Sequence, residues 1–293
     1  MFEQIMVPVD GSELAERALP CAERLARETN ATIHLVRVVE PPAPPWAAAG
    51  LTAPMVVYEY DDVLAVDTRA ATAYLETLRD RLAAAGLAVR ATHLIGDTAS
   101  SLLDYERDTG IDVVVMCSHG RGGLARFALG SIAARLLHYG AVPVLLVRAF
   151  GAPVNLAHAV VPLDGSALAE QALPMLRQLV RDVVREFTLL RVIDAVEEGP
   201  EAERYLERVA RQLQQQGVFH GGEGVCQRRV EQGDPARAIL DAAGADRLVV
   251  MATHGRAGLT RWTMGSVADR VARGGAGGVL LVRSATAGDS SHA

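Results

Sequence analysis

Residues 7–20 read VPVDGSELAERALP, and residues 161–174 read VPLDGSALAEQALP. Eleven of the fourteen positions are identical, at an offset of 154 residues. Further out, CSHGRGGLARFALGS (Cys117–Ser131) returns as ATHGRAGLTRWTMGS (Ala252–Ser266), with eight of fifteen positions identical. VLLVR (Val144–Arg148) returns unchanged at Val279–Arg283, and both of these later pairs are offset by 135. Three blocks repeated in the same order mark a duplicated domain. We divide the 293 residues into a first domain, 1–148, and a second, 158–293, joined by AFGAPVNLAH. The second copy is 19 residues shorter between the outer blocks. LVRVVE (Leu35–Glu40) still matches LLRVID (Leu189–Asp194) at 154, so the surplus follows it. It is a Pro- and Ala-rich insertion in the first copy, from Pro41 to about Tyr60.

The same stretch sets the local pattern. IMVPV is a short apolar run and reads as a buried strand. Ser12 caps a helix whose apolar positions Leu14, Ala18, Cys21 and Leu25 recur at three- and four-residue steps. The strands ATIHLVRVV, AVRATHLI, DVVVM and VPVLLV follow. Helices lie between them: one marked by Leu75, Leu78 and Leu82 and ending near Gly86, one opened by Asp97, one after Gly130. The second copy repeats the order with AVVPL, FTLLRVI, VCQRRVEQ, LVVM and GVLLV. Strands alternating with helices, several of them continuously apolar, predict a parallel sheet covered on both faces. Ser284–Ala293 reads as a disordered tail.

Composition narrows the function. Half the residues are hydrophobic and 22% are charged, the balance of a soluble globular protein. The net charge of −6 argues against a nucleic-acid partner. There is no lysine; all 29 basic residues are arginine. That excludes a Walker A loop, a protein-kinase site and Schiff-base chemistry, each of which needs a lysine amine. Cys21, Cys117 and Cys226 are scattered without a CxxC, so neither a disulfide framework nor a zinc site is expected. No apolar stretch is long enough to span a membrane, and the amino-terminal run is too short for a signal peptide. The expected setting is the cytoplasm.

Open parallel sheets bind ligands beyond the carboxyl ends of their strands, where the strand order reverses. The loops after strands one and four are therefore the candidates. The second holds a glycine-rich run and then Gly130-Ser131, or Gly265-Ser266, at a helix start. Such a start presents unpaired N–H groups and the positive end of the helix dipole, an anion site that needs no lysine. The bland alternative is a tight turn with a capping serine. After strand one comes Asp10-Gly-Ser, or Asp164-Gly-Ser. That carboxylate can accept from ribose hydroxyls or an adenine amine, or simply close its own turn. His119 and His254 share one loop position, with a locally bonded histidine as the favoured reading. Arg121, Arg126, Arg256 and Arg261 reach phosphate or stay solvated. Neither a catalytic constellation nor a metal set is identified.

The ordered motifs resemble the universal stress protein family in tandem form: VDGS, GD before the third helix, SHGRGGL with a later GS, and PVLLVR. The resemblance covers essentially the whole chain, twice. It implies two Rossmann-like doubly wound α/β domains, each a five-stranded parallel sheet of order 3-2-1-4-5 with helices on both faces. It also implies edge strands that pair antiparallel, here within the chain as a pseudo-dimer or between chains as a homodimer. The ATP-binding branch carries Gly-x2-Gly-x9-Gly-Ser/Thr. By position this implies nucleotide contacts at Gly120, Gly130 and Ser131 in the first copy and at Gly255, Gly265 and Ser266 in the second. Asp10 and Asp164 match the acidic residue, and Val38 and Val192 match the strand-two position along adenine. The first motif glycine is replaced by Cys117 and by Ala252. The reading is a stress-response protein that binds adenine nucleotide, ATP or ADP with or without Mg, as a regulatory ligand. The alternatives are a slow ATP hydrolase and a nucleotide-free interaction module. The insertion, with Trp46, Met55 and Tyr58, leaves from the carboxyl-end face, where it is either a lid over the first site or a plain surface loop.

Overall fold

The computed structural model describes residues 2–41, 57–118, 129–148, 153–219, 225–254, 264–274 and 277–283. In the first copy these form β1 (Gln4–Pro8), α1 (Glu13–Glu16), α2 (Leu19–Thr29), β2 (Thr32–Val39), α3 (Val57–Ala84), β3 (Val89–Ile95), α4 (Thr98–Thr109), β4 (Val113–Cys117), α5 (Ser131–Tyr139) and β5 (Val144–Val147). The second copy runs β6 (Asn155–Pro162), α6 (Ala167–Glu170), α7 (Leu173–Asp182), β7 (Glu186–Ile193), α8 (Gly199–Gln215), β8 (Cys226–Gln232), α9 (Pro235–Ala243), β9 (Arg247–Ala252), α10 (Ser266–Gly274) and β10 (Gly278–Val282). All ten strands lie in one sheet of order β3-β2-β1-β4-β5-β10-β9-β6-β7-β8. Each half is parallel with the order 3-2-1-4-5.

Period-two alternation sorts the strands onto two helical layers. Ile5, Val7, Ile33 and Leu35 pack with Leu25, Leu75, Leu78 and Leu82 from α2 and α3. Met6, Val36 and Val114 face the other way, onto Leu102 of α4 and Leu136 of α5. Cys21 lies in the first layer, and burial pushes its thiol up to about 12, which leaves it protonated and inert.

Two expectations need correction. The helix read through Leu14, Ala18, Cys21 and Leu25 is two helices, α1 and α2. Pro20 has no N–H to give, and its ring would clash with the carbonyl four residues back at Glu16. Pro174 breaks α6 from α7 in the same way. The insertion also ends in helix, because α3 starts at Val57. Residues 42–56 of it, with Trp46 and Met55, lie outside the described residues. At 28 residues α3 is about 42 Å long, against about 26 Å for the 17 residues of α8.

The halves join through β5 and β10, which pair antiparallel with Leu145 opposite Leu280, Val144 opposite Leu281 and Leu146 opposite Val279. Leu145 and Leu280 are equivalent positions of the two copies, so a pseudo-twofold axis passes through their pair. Strands within each half are parallel, so the carboxyl ends of the two halves point in opposite directions. Gly278 sits here because an added Cβ would meet Val154 Cγ1 at 2.9 Å. Across the same junction, Arg283 donates to the Gly140 carbonyl at 3.0 Å. Below that loop, buried Glu106 accepts from the N–H groups of Ala141 (2.6 Å) and Val142 (3.2 Å) through Oε1, while Oε2 has no partner among the described residues. The second copy has Ala243 at the position of Glu106.

Leu145 and Leu280 are 2% and 1% exposed. Leu145→Ala and Leu280→Ala should each cost about 2–4 kcal/mol in urea unfolding and should couple in a double-mutant cycle. A change only in a monomer–dimer equilibrium would place the pairing between chains instead. Burial raises the Glu106 pKa above its ordinary value, so its native state holds the proton more tightly than the unfolded chain does. Its contribution is favourable below the ordinary carboxylate range and is lost as pH rises through the raised value. Glu106→Gln should therefore flatten the decline in wild-type stability as pH rises above the ordinary carboxylate range, followed by urea midpoints.

Candidate functional site

β1 and β4 are neighbours at the point where the chain turns from building one side of the sheet to building the other. β6 and β9 occupy the same place in the second half. Asp10 follows the end of β1 and accepts from Ser12 at Oδ1, from its N–H at 2.9 Å and its hydroxyl at 2.6 Å. Asp164 repeats both bonds on Ser166, at the same distances. Between them Gly11 (φ +86°) and Gly165 (φ +81°) take the left-handed turn that glycine favours. Ser12 Oγ in turn accepts from the Ala15 N–H at 3.2 Å, and Ser166 Oγ from Ala169 at 3.1 Å. These serines are therefore helix caps, and each aspartate closes its own turn.

Beyond β4, the N–H of Gly130 donates to the Ser118 carbonyl at 2.9 Å, and the N–H of Gly265 donates to Thr253 at 2.9 Å. The residues between, 119–128 and 255–263, lie outside the described residues. They include Gly120, Gly255, His119 and the four arginines of these loops. Gly130 is the N-cap of α5 and makes no side-chain capping bond; Ser131 is the first helical residue and is exposed. Ser266 begins α10 in the same way and is also exposed. The capping-serine alternative therefore does not describe Ser131. The backbone φ of Gly130 is −58°, so no left-handed turn requires glycine there. At Gly265 an added Cβ would meet the Thr253 carbonyl at 3.1 Å, so the glycine serves a close pass of the backbone over β9. Cys117 and Ala252, the last residues of β4 and β9, are both buried.

Val38 and Val192 sit one residue before the ends of β2 and β7, packed on the layer that carries α5 and α10. They share that side of the sheet with Gly130-Ser131 and Gly265-Ser266. His254 bonds locally, with Nδ1 3.1 Å from Thr253 Oγ1. Among the described residues no group of three His, Cys, Asp or Glu side chains could hold a metal ion, and no helix is long and apolar enough to cross a membrane.

Two features of the site escaped the sequence reading. Asp97 opens α4 as expected, accepting from the Ser100 N–H at 3.0 Å, but it also pairs with Arg135 on α5 at 3.0 Å. Asp234 caps α9 and pairs with Arg270 on α10 at 2.7 Å. The helix that begins at the glycine-serine pair is thus tied to its neighbour in both copies. The other feature joins α1 to α3. The Tyr74 hydroxyl donates to Glu16 at 3.0 Å under the Arg37 guanidinium, 5.3 Å from the ring centre. Tyr205, Glu170 and Arg191 repeat this at 3.0 and 5.4 Å. Both pairs had a signal in the repeat itself, but Tyr74 and Tyr205 are offset by 131 residues, not 154. The first copy therefore carries 23 extra residues before this tyrosine, 11 of them inside the longer α3, and the second regains some between α8 and β8.

The fold and its two switch points define a tandem doubly wound α/β protein with a candidate ligand site in each half. The chain belongs to the universal stress protein family, whose family model matches residues 1–148 and 156–283. A universal stress protein of Mycolicibacterium smegmatis is 29% identical over 289 residues, covering 95% of this chain and 96% of that one. One of Mycobacterium bovis is 26% identical over 298 residues with the same coverage. The crystal structure of a universal stress protein from Archaeoglobus fulgidus superposes with a TM-score of 0.70 at 18% identity, covering 96% of this chain and 98% of that one.

If Ser12 caps and Ser131 does not, the two serines respond differently to truncation. Ser12→Ala should cost about 1 kcal/mol in chemical unfolding, and Ser131→Ala less than about 0.5 kcal/mol. Equal losses would return Ser131 to a capping role.

Proposed function

We propose that the protein is a cytoplasmic stress-response protein that binds adenine nucleotide, ATP or ADP, as a regulatory ligand at both switch points. The observation that carries this reading is the helix start at Gly130-Ser131, repeated at Gly265-Ser266. The first-turn N–H groups of α5 have no side-chain cap, and they stand beyond β4, next to the Asp10 turn beyond β1. Phosphate would take the N–H groups and the Ser131 or Ser266 hydroxyl. Val38 and Val192 would lie along the base, and Asp10 and Asp164 would meet the ribose. Gly120 and Gly255 belong to the same loops and are proposed as contacts from the sequence alone. Mg, where present, would ride on the phosphates. The nucleotide-free reading has one observation in its favour, the side chains of Cys117 and Ala252 where the nucleotide-binding motif has glycine.

Ser131→Glu with Ser266→Glu tests the proposal without disturbing the fold. A carboxylate in the first turn suits the helix dipole, yet it repels phosphate. Titration calorimetry with ATP should show two sites per wild-type chain and at least a hundredfold weaker binding in the double variant, with an unchanged or raised thermal midpoint. Equal affinity in the two proteins would remove the site assignment.

A further inference from the structure

We propose that Arg37 and His93 form a second anion site, one per chain, that takes a phosphate or carboxylate group. It lies on the face of the sheet turned away from Gly130-Ser131, and it stands whether or not nucleotide binds there. Arg37 continues the row Ile33, Leu35 on β2, both fully buried in the layer beneath α2 and α3. Arg37 itself is half-buried, toward the carboxyl end of that row. Its flat face is spent on Tyr74. The Tyr74 hydroxyl is turned to Glu16 Oε1, and Glu16 Oε2 takes Arg81 at 3.3 Å. Among the described residues Arg37 has no hydrogen bond or ion pair.

Asp10 and Glu16 are the carboxylates that act on Tyr74, and among the described residues neither pairs with Arg37. Residues 42–56, 119–128 and 255–263 contain no Asp or Glu. Glu59 and Asp61 lie on α3 at 15 and 13 positions before Tyr74, roughly 20 Å along the helix. A fork of N–H donors held flat against a ring, with its edge unmatched, suits bidentate capture of an oxyanion.

A second donor stands beside it. His93 is the direct register partner of Arg37 on β3 and so lies on the same face, one strand spacing away, about 4.8 Å. Among the described residues its ring meets only Thr72, Nδ1 to Oγ1 at 3.3 Å. The second copy has Arg191 in register with Val230 in place of the histidine. Arg191 is also 7% exposed, and Tyr205 meets a further guanidinium, Arg208, at 5.3 Å. The pair of donors is therefore a property of the first copy alone. This separates it from the glycine-serine sites, which occur twice.

The test follows the ring signals of Tyr74, which every substitution below retains, by NMR in the full chain, with inorganic phosphate and, separately, malonate as probes. A saturable shift is expected with either probe, at one site per chain. It should weaken tenfold or more in Arg37→Gln and in His93→Val. Arg37→Lys, which keeps the charge but loses the fork, should weaken it too. The shift should persist in Ser131→Glu with Ser266→Glu, which keeps this result apart from the fate of the nucleotide sites. Absence of saturation with both probes, or equal affinity in wild type and Arg37→Gln, would overturn the site.

Discussion

The antiparallel pairing of β5 with β10 is the contact on which the rest of the molecule depends. Each half would otherwise end in a short apolar edge strand, VLLV or GVLLV, and an open apolar edge is a template for aggregation. Pairing the two edges removes both at once. It also makes one sheet of ten strands from two sheets of five. Because Leu145 and Leu280 face each other on the pseudo-twofold axis, every other equivalent feature is fixed on opposite sides of it. The two switch points therefore open at opposite ends of the sheet, and one small ligand cannot bridge them. At the junction Arg283 of one half holds the Gly140 carbonyl of the other, and away from it Arg185 reaches Glu28 at 3.9 Å.

Duplication preserved the parts at the switch point and released the parts around it. The Asp-Gly-Ser turn, the helix start at Gly-Ser, the Asp–Arg tie between neighbouring helices and the Glu–Tyr–Arg cluster all recur with nearly the same distances. The segment between β2 and the following helix does not recur, nor does His93 on the edge strand or Glu106 under the junction. The halves are thus alike at the switch point and different at its margins.

Much of the architecture was legible because buried parallel strands are written as continuous apolar runs, such as VVVM in β4 and VLLV in β5. The break between α1 and α2 was not, although Pro20 announces it. Arg17 and Ala18 keep φ and ψ near helical values through the break, so the spacing of Leu14, Ala18, Cys21 and Leu25 runs on across it. At the site, Asp10 and Ser12 were legible because their bonds are local. Arg135 with Asp97, and Tyr74 with Glu16, were not, because each pair is assembled by packing between helices far apart in sequence. Gly265 has a structural constraint that the motif alone did not reveal. A glycine in a ligand motif can also serve the fold, and here an added Cβ would meet the Thr253 carbonyl at 3.1 Å.

Native mass spectrometry of the full chain with saturating ATP tests the central claim, two equivalent nucleotide sites at opposite ends of one sheet. The account predicts a species carrying two adenine nucleotides per chain, filled in succession. A chain that stays free of nucleotide at saturation would contradict it.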